Sequence, residues 1–199
     1  MIRRAREGYL PVRDGSHVVA VAERSQCATC GTVETMEHIL VHCRNLPTRI
    51  IWRLAKDIWP YQNIPWPDIS IGTILGCGCL SANKPVTQNE QQDRNRTHLQ
   101  GATRLLQILI SESAFLIWAL RCERVIQGKT HSQQEIRAKW LREINTRLTD
   151  DRITATKVQR NKGFTKLVEN TWEHVLHREG DLPNEWLNSR EVLVGSRAR

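Results

Sequence analysis

Residues 27–43 read CATCGTVETMEHILVHC, and the reading of this stretch decides the architecture. Cys27 and Cys30 form a C-x-x-C pair, His38 follows after seven residues and Cys43 after four more. A tetrahedral Zn²⁺ takes four sulfur or nitrogen ligands, and a knuckle that supplies two thiolates from one turn, with a His and a Cys nearby, suits it. Gly31, just past the knuckle, allows the backbone a tight turn needs. Glu34 and Glu37 stand where a short helix would start, near its positive end, and that helix presents His38.

Two residues compete to be the fourth ligand. His42 is four residues from His38 and would share its helix face, giving a Cys₂His₂ set. Cys43 serves only if the helix ends before it, and Arg44-Asn45-Leu46-Pro47 offers that stop. Adjacent residues point in different directions on a helix, so His42 and Cys43 are not both ligands. The set Cys27, Cys30, His38 and Cys43 is favoured, with His42 the open alternative. Two buried thiols with two incidental histidines is the plainer reading, and the spacing of all four groups weighs against it.

The chain around this stretch has 199 residues, 40% of them apolar and 25% charged, which suits a globular protein of one or two domains without a rich core. Seven Trp against two Phe and two Tyr leave the indoles to carry much of the packing. The net charge of +8 is concentrated: residues 121–166 hold twelve Lys/Arg against five Asp/Glu. Such a surplus favours a polyanionic partner, and nucleic acid is the commonest. Arg137, Lys139, Arg142, Arg147, Lys157, Arg160, Lys162 and Lys166 are the candidate contacts, against the plain reading of solvated helix faces. The N-terminus MIRRAREG, with Arg3, Arg4 and Arg6, has no apolar signal region. A reducing compartment, nuclear or cytoplasmic, is therefore expected, with thiols as metal ligands or apolar groups rather than disulfides. The apolar run 105–120 is broken by Gln107 and Ser111-Glu112-Ser113, so no membrane span is expected.

Taken in order, His17–Ala22 (HVVAVA) is a short apolar run. Residues 48–59 place Ile51, Leu54, Ala55 and Ile58 on one helix face, with Trp52 and Trp59 beside it to cover the small metal module. Pro60, Pro65 and Pro67 end that helix. Cys77-Gly78-Cys79 reads as a packed turn rather than a second metal site with His98. Residues 81–96 are a polar, flexible loop. A long helix over 99–127 is apolar on so much of its girth that it belongs at the centre of a bundle, with Cys122 buried and inert, and Gly128 stops it. Ser132 and Glu135 form a capping box for a helix to about Leu148. Further helices are expected over 153–161 and 165–177, then a loose tail. The fold class is all-α: a small zinc knuckle packed beside a bundle of about four helices, with a flexible loop between. The segments divide as 1–60, 61–100, 101–180 and 181–199.

The C-x-x-C pair followed by Glu34-Thr35-x-x-His38-Ile39-Leu40-x-x-Cys43 resembles the zinc-binding region downstream of reverse transcriptase in non-LTR retrotransposons, and is most similar to fungal versions that follow an RNase H domain. Ala22-Glu23-Arg24 and Ile51-Trp52-Arg53-Leu54-Ala55 fit its flanks, and residues 112–124 (ESAFLIWALRCER) resemble the helical tail of those proteins. The resemblance implies an accessory module that handles template RNA or target DNA beside reverse transcriptase and RNase H domains, with no catalysis of its own. It also implies a truncated piece of such an element or a separate reading frame. A structural module that docks a partner protein, or a decayed fragment, is the alternative. Catalytic groups point the same way: Asp150-Asp151 and the Glu179/Asp181 pair read as solvated helix boundaries, His174 and His177 as helix surface, and no phosphate loop or nucleophile elbow is present. No small-molecule substrate is expected.

Overall fold

The protein was analysed as a computed structural model, which describes residues 26–82, 92–158, 161–189 and 191–195, with the backbone alone over 92–96. The expectations for Arg3, Arg4, Arg6, His17–Ala22, most of the polar loop and Arg160 lie outside the described residues. The described chain is mostly helical, and no strand is present among the described residues beyond two isolated bridges. A π-helical turn (His38–His42) precedes α1 (Leu46–Ile58), the short α2 (Ile71–Leu75), α3 (Gln92–Gln127), α4 (Gln133–Lys157) and α5 (Lys162–Trp172).

The longest helix, α3, buries Leu105, Leu106, Ile108, Leu109, Ile110, Ala114, Leu116, Ile117 and Leu120, residues that cover about two-thirds of its girth at about 100° per residue. A helix apolar over so much of its girth must be covered on several sides, and α1, α4, α5 and the π-turn all pack on it. By length and composition Thr97–Gln127 is sufficient to cross a membrane, longer than the interrupted run 105–120 suggested; 56% of its apolar window is buried inside the structure, as in a core helix. Gly101 brings α5 close: a Cβ there would lie 2.4 Å from the Asn170 carbonyl oxygen. One apolar cluster runs from Ile39 and Leu40 through α1, α3, α4 and α5 to Leu187, Val192 and Val194. The four segments expected from sequence therefore share a core.

Four expectations change. The helices expected to stop near Leu148 and restart near Ile153 are one continuous α4. Asp151 is not a solvated boundary; it is buried and takes a bidentate pair from Arg104 on α3, at 2.6 Å to each oxygen, and the Trp172 indole N–H at 2.9 Å. With its charge answered from two other helices, the carboxylate need not break the helix to reach water. The last helix begins earlier, at Lys162 under an Asn161 cap, and ends at Trp172 because His174 turns left-handed (φ 72°). The described part of the tail, 182–189 and 191–195, is docked rather than frayed: the Val194 N–H donates to Asn145 Oδ1 (2.7 Å), His177 N–H to the Leu193 carbonyl (2.8 Å) and Arg152 Nε to the Leu187 carbonyl (3.1 Å). The stop at Gly128 (φ 66°) and the capping box of Ser132 and Glu135 stand where the sequence puts them.

Removing one member of a buried ion pair strands the other. Asp151→Ala should therefore cost about 3–5 kcal/mol, whereas Asp150→Ala, at an exposed neighbour, should stay within about 0.5 kcal/mol; urea unfolding of the two variants measures the contrast.

Candidate metal centre

The backbone of residues 27–32 folds into a knuckle. Cys30 N–H and Gly31 N–H both donate to the Cys27 carbonyl (3.2 and 2.7 Å), Cys27 N–H donates to the Thr32 carbonyl (2.7 Å), and Gly31 takes the left-handed conformation the turn requires (φ 69°). Across from it, the ligand-bearing helix ends before Cys43, as expected from Arg44 to Pro47. Its last turn, His38–His42, is a π turn, closed by Cys43 N–H to the His38 carbonyl at 2.7 Å, and Cys43 itself is extended. In an α-helix two residues five apart point roughly 140° away from each other. The wider turn brings them back to one side, a use of π geometry common at functional sites.

His38 and Cys43 consequently face the knuckle together. One ligand atom from each of Cys27, Cys30, His38 and Cys43 lies within 4.8 Å of all the others, close enough to hold a metal ion. The Sγ–Sγ separations are 3.7 Å for Cys27–Cys43 and 3.9 Å for Cys30–Cys43, too long for disulfides. Thiolates about 2.3 Å from one ion at tetrahedral angles would lie about 3.8 Å apart, so the spacing fits zinc. The His38 ring offers a further fit. Its Nδ1 is held by Thr32 Oγ1 at 3.2 Å, while Nε2 is buried with no hydrogen-bond partner. A buried ring nitrogen without a partner is what a metal ligand leaves when the ion is left out. His42, the alternative, is 64% exposed and lies 3.7 Å from Glu37, outside the cluster.

The thiols differ in readiness to ionise. Burial alone raises Cys27, but the His38 ring beside it, the Thr29 and Cys30 backbone and Cys43 draw it down to about 7. Burial pushes Cys43 up to about 12, helped by its two sulfur neighbours. A cation reverses this second effect, since a coordinating thiol is deprotonated outright. Arg44 N–H also donates to Cys30 Sγ at 3.3 Å, which favours negative charge on that sulfur.

One residue that the sequence left as a helix-start acid anchors the loop. Glu34, its side chain only 3% exposed, receives Arg121 through Nε (2.9 Å) and Nη2 (2.6 Å) and Arg124 through Nη2 (3.0 Å), both from α3. The loop is pinned to α1 by Thr48 Oγ1 to the Ile39 carbonyl (3.2 Å) and Trp52 Nε1 to the Leu40 carbonyl (2.7 Å). Trp59, expected to cover the same loop, instead donates to the Ile64 carbonyl and stacks edge-on with Tyr61 and Trp66. Among the described residues no other cluster of His, Cys, Asp and Glu gathers closely enough for a metal; Cys77 and Cys79 form a 3₁₀ turn, His98 pairs with Glu173 at 3.2 Å, and Cys122 is half-buried.

Three of the candidate nucleic-acid contacts have carboxylate partners. Lys139 is held by Glu123 (3.0 Å), Lys166 by Glu169 (3.3 Å), and Arg147 leans on Asp151 (3.8 Å). Arg137, Arg142, Lys157 and Lys162 are exposed, with no ion pair among the described residues. A basic row missed by the sequence reading is Arg49, Arg53 and Lys56 on α1, with Arg44 just before it; its signal was the i, i+4, i+7 spacing on the polar side of an already recognised helix.

Cys43→Ala should abolish uptake of Co²⁺ as followed by its thiolate absorption, and His42→Ala should leave it unchanged. Burial alone would raise the Glu34 carboxyl, but the hydrogen bonds and charge of Arg121, then of Arg124, hold it below the ordinary carboxylate range. Its stabilisation is present above the unfolded value and lost as pH falls through the folded one. The stability gap between the unaltered chain and Glu34→Gln should be full at neutral pH and close progressively below about pH 4.3, read by chemical unfolding across that range. Comparison with family models, with curated proteins and with solved structures finds no match to the chain.

Proposed function

We propose that the chain is a zinc-binding accessory module, related to the region downstream of reverse transcriptase in fungal non-LTR retrotransposons, that binds RNA or target DNA and carries out no catalysis of its own. The observation that carries the metal half is the convergence of three sulfurs and the unpartnered His38 Nε2. Zinc suits that donor set and has no redox chemistry to manage, so its role is to fold the knuckle. The nucleic-acid half is supported by cations that are exposed and not answered by carboxylates, Arg137, Arg142, Lys157 and Lys162 among them. The setting is intracellular, nuclear or cytoplasmic, with reverse transcriptase and RNase H domains as possible neighbours.

A second reading has its own observation. Phe115 (62% exposed), Trp118 (37%) and Ile126 (71%) stand in one row along α3. Such an apolar row suits a protein partner, and zinc would then staple an interaction module. A zinc-loaded chain with no affinity for RNA or DNA favours this second reading.

The purified chain should contain one zinc, and its removal by a chelator should speed hydrogen exchange over residues 26–60. Labelled single-stranded RNA and DNA should bind at low salt. With three to five phosphate contacts, affinity should fall about 20- to 100-fold between 50 and 200 mM salt. Undetectable binding at low salt, or binding indifferent to salt, rejects the nucleic-acid reading.

A further inference from the structure

The cations of α1 form a compact basic row. Arg49, Arg53 and Lys56 fall at i, i+4 and i+7, so they share one helix face, and all three are exposed. Seven residues of helix carry them over about 10 Å. Only Asp57 answers them on this helix, at 3.7 Å from Arg53, with both side chains mostly in water. Exposed pairs of that kind contribute about 0–1 kcal/mol and do not neutralise the row. The opposite face of α1 is spent on the core, with Ile50, Ile51, Ala55 and Ile58 buried. The row therefore cannot turn inward.

Its position is set by the metal centre. Arg44 N–H donates to Cys30 Sγ, Thr48 Oγ1 to the Ile39 carbonyl and Trp52 Nε1 to the Leu40 carbonyl. All three tethers end on the loop that carries the metal-ligating residues, and two of them leave α1 from residues inside or beside the basic row. By contrast, Arg142, Lys157 and Lys162 lie on α4 and α5 with no hydrogen bond to that loop. A row of cations at fixed spacing on a rigid helix suits successive phosphates of one strand, because phosphate contacts set register without reading bases.

We propose that this face of α1, Arg49, Arg53 and Lys56 with Arg44 at its start, is the phosphate-contacting surface for a nucleic-acid strand, and that the metal centre holds it in pose. This rests on the nucleic-acid reading and gives it an address. The sequence alone pointed instead to residues 137–166.

The test uses the full zinc-loaded chain and a labelled single-stranded oligonucleotide, RNA in one arm and DNA in the other. The triple variant R49Q/R53Q/K56Q should bind at least 10-fold more weakly, and its slope of log affinity on log salt should shrink by about 2, at about 0.7 per lost contact. R137Q/R142Q/K157Q/K162Q should keep most of its affinity. Chelating zinc should weaken the unaltered chain far more than it weakens the triple variant. Helical circular dichroism and zinc content confirm that each variant is folded. Protection of the Arg49 and Arg53 guanidinium groups from phenylglyoxal by the oligonucleotide gives the answer without any substitution. If the quadruple variant loses as much as the triple variant or more, or if Arg49 and Arg53 are not protected, the α1 surface is wrong while the nucleic-acid reading stands. If the unaltered chain binds neither oligonucleotide, that reading falls and takes this one with it.

Discussion

The apolar stretch of α3, residues 105–120, cannot be left uncovered in water, and covering it is the constraint that arranges this molecule. Its buried residues lie on most of its girth, so α1, α4 and α5 must each find a side of it. The loop that carries the Cys/His cluster is too small to have a core of its own. It borrows one, placing Ile39 and Leu40 in the same apolar cluster as Leu109, Ile117 and Trp140. The site is thus a graft on α3, and its geometry is only as firm as that contact.

Two buried carboxylates fix where the pieces sit along α3. Glu34 meets Arg121 and Arg124 near the helix's C-terminal end, and Asp151 meets Arg104 about five turns earlier. Apolar contacts alone tolerate sliding, since one methyl group replaces another at small loss. A buried charge does not, because moving it away from its partner leaves it unsolvated. Glu34 thereby holds the metal loop against one end of α3, and Asp151 locks α4 and the Trp172 end of α5 at the other.

The same logic sorts the basic residues by role. Arg104, Arg121 and Arg124 are structural cations with buried partners, while Arg49, Arg53, Arg137 and Arg142 are exposed to water. Only the second group is free to answer a polyanion. The net charge of +8 is therefore a poor guide to how many cations are free of carboxylate partners.

Helical periodicity, the Ser132 capping box, the Gly128 stop and the C-x-x-C spacing are local signals, and a local signal is complete in the residues that carry it. By itself the sequence accordingly determined the all-helical class, the central place of residues 99–127 and the four ligand types. It did not determine that a π turn selects Cys43 over His42, because that choice is made by one extra residue in a hydrogen-bonded ring. Nor did it show that Asp151 continues a helix, that Glu34 is an anchor, or that the tail docks through Asn145. Each depends on a partner between 47 and 90 residues away, and the worth of a charged side chain is set by what stands opposite it in space. Only the tertiary structure brings those partners together, and so only it could decide which charges hold the fold and which remain for a ligand.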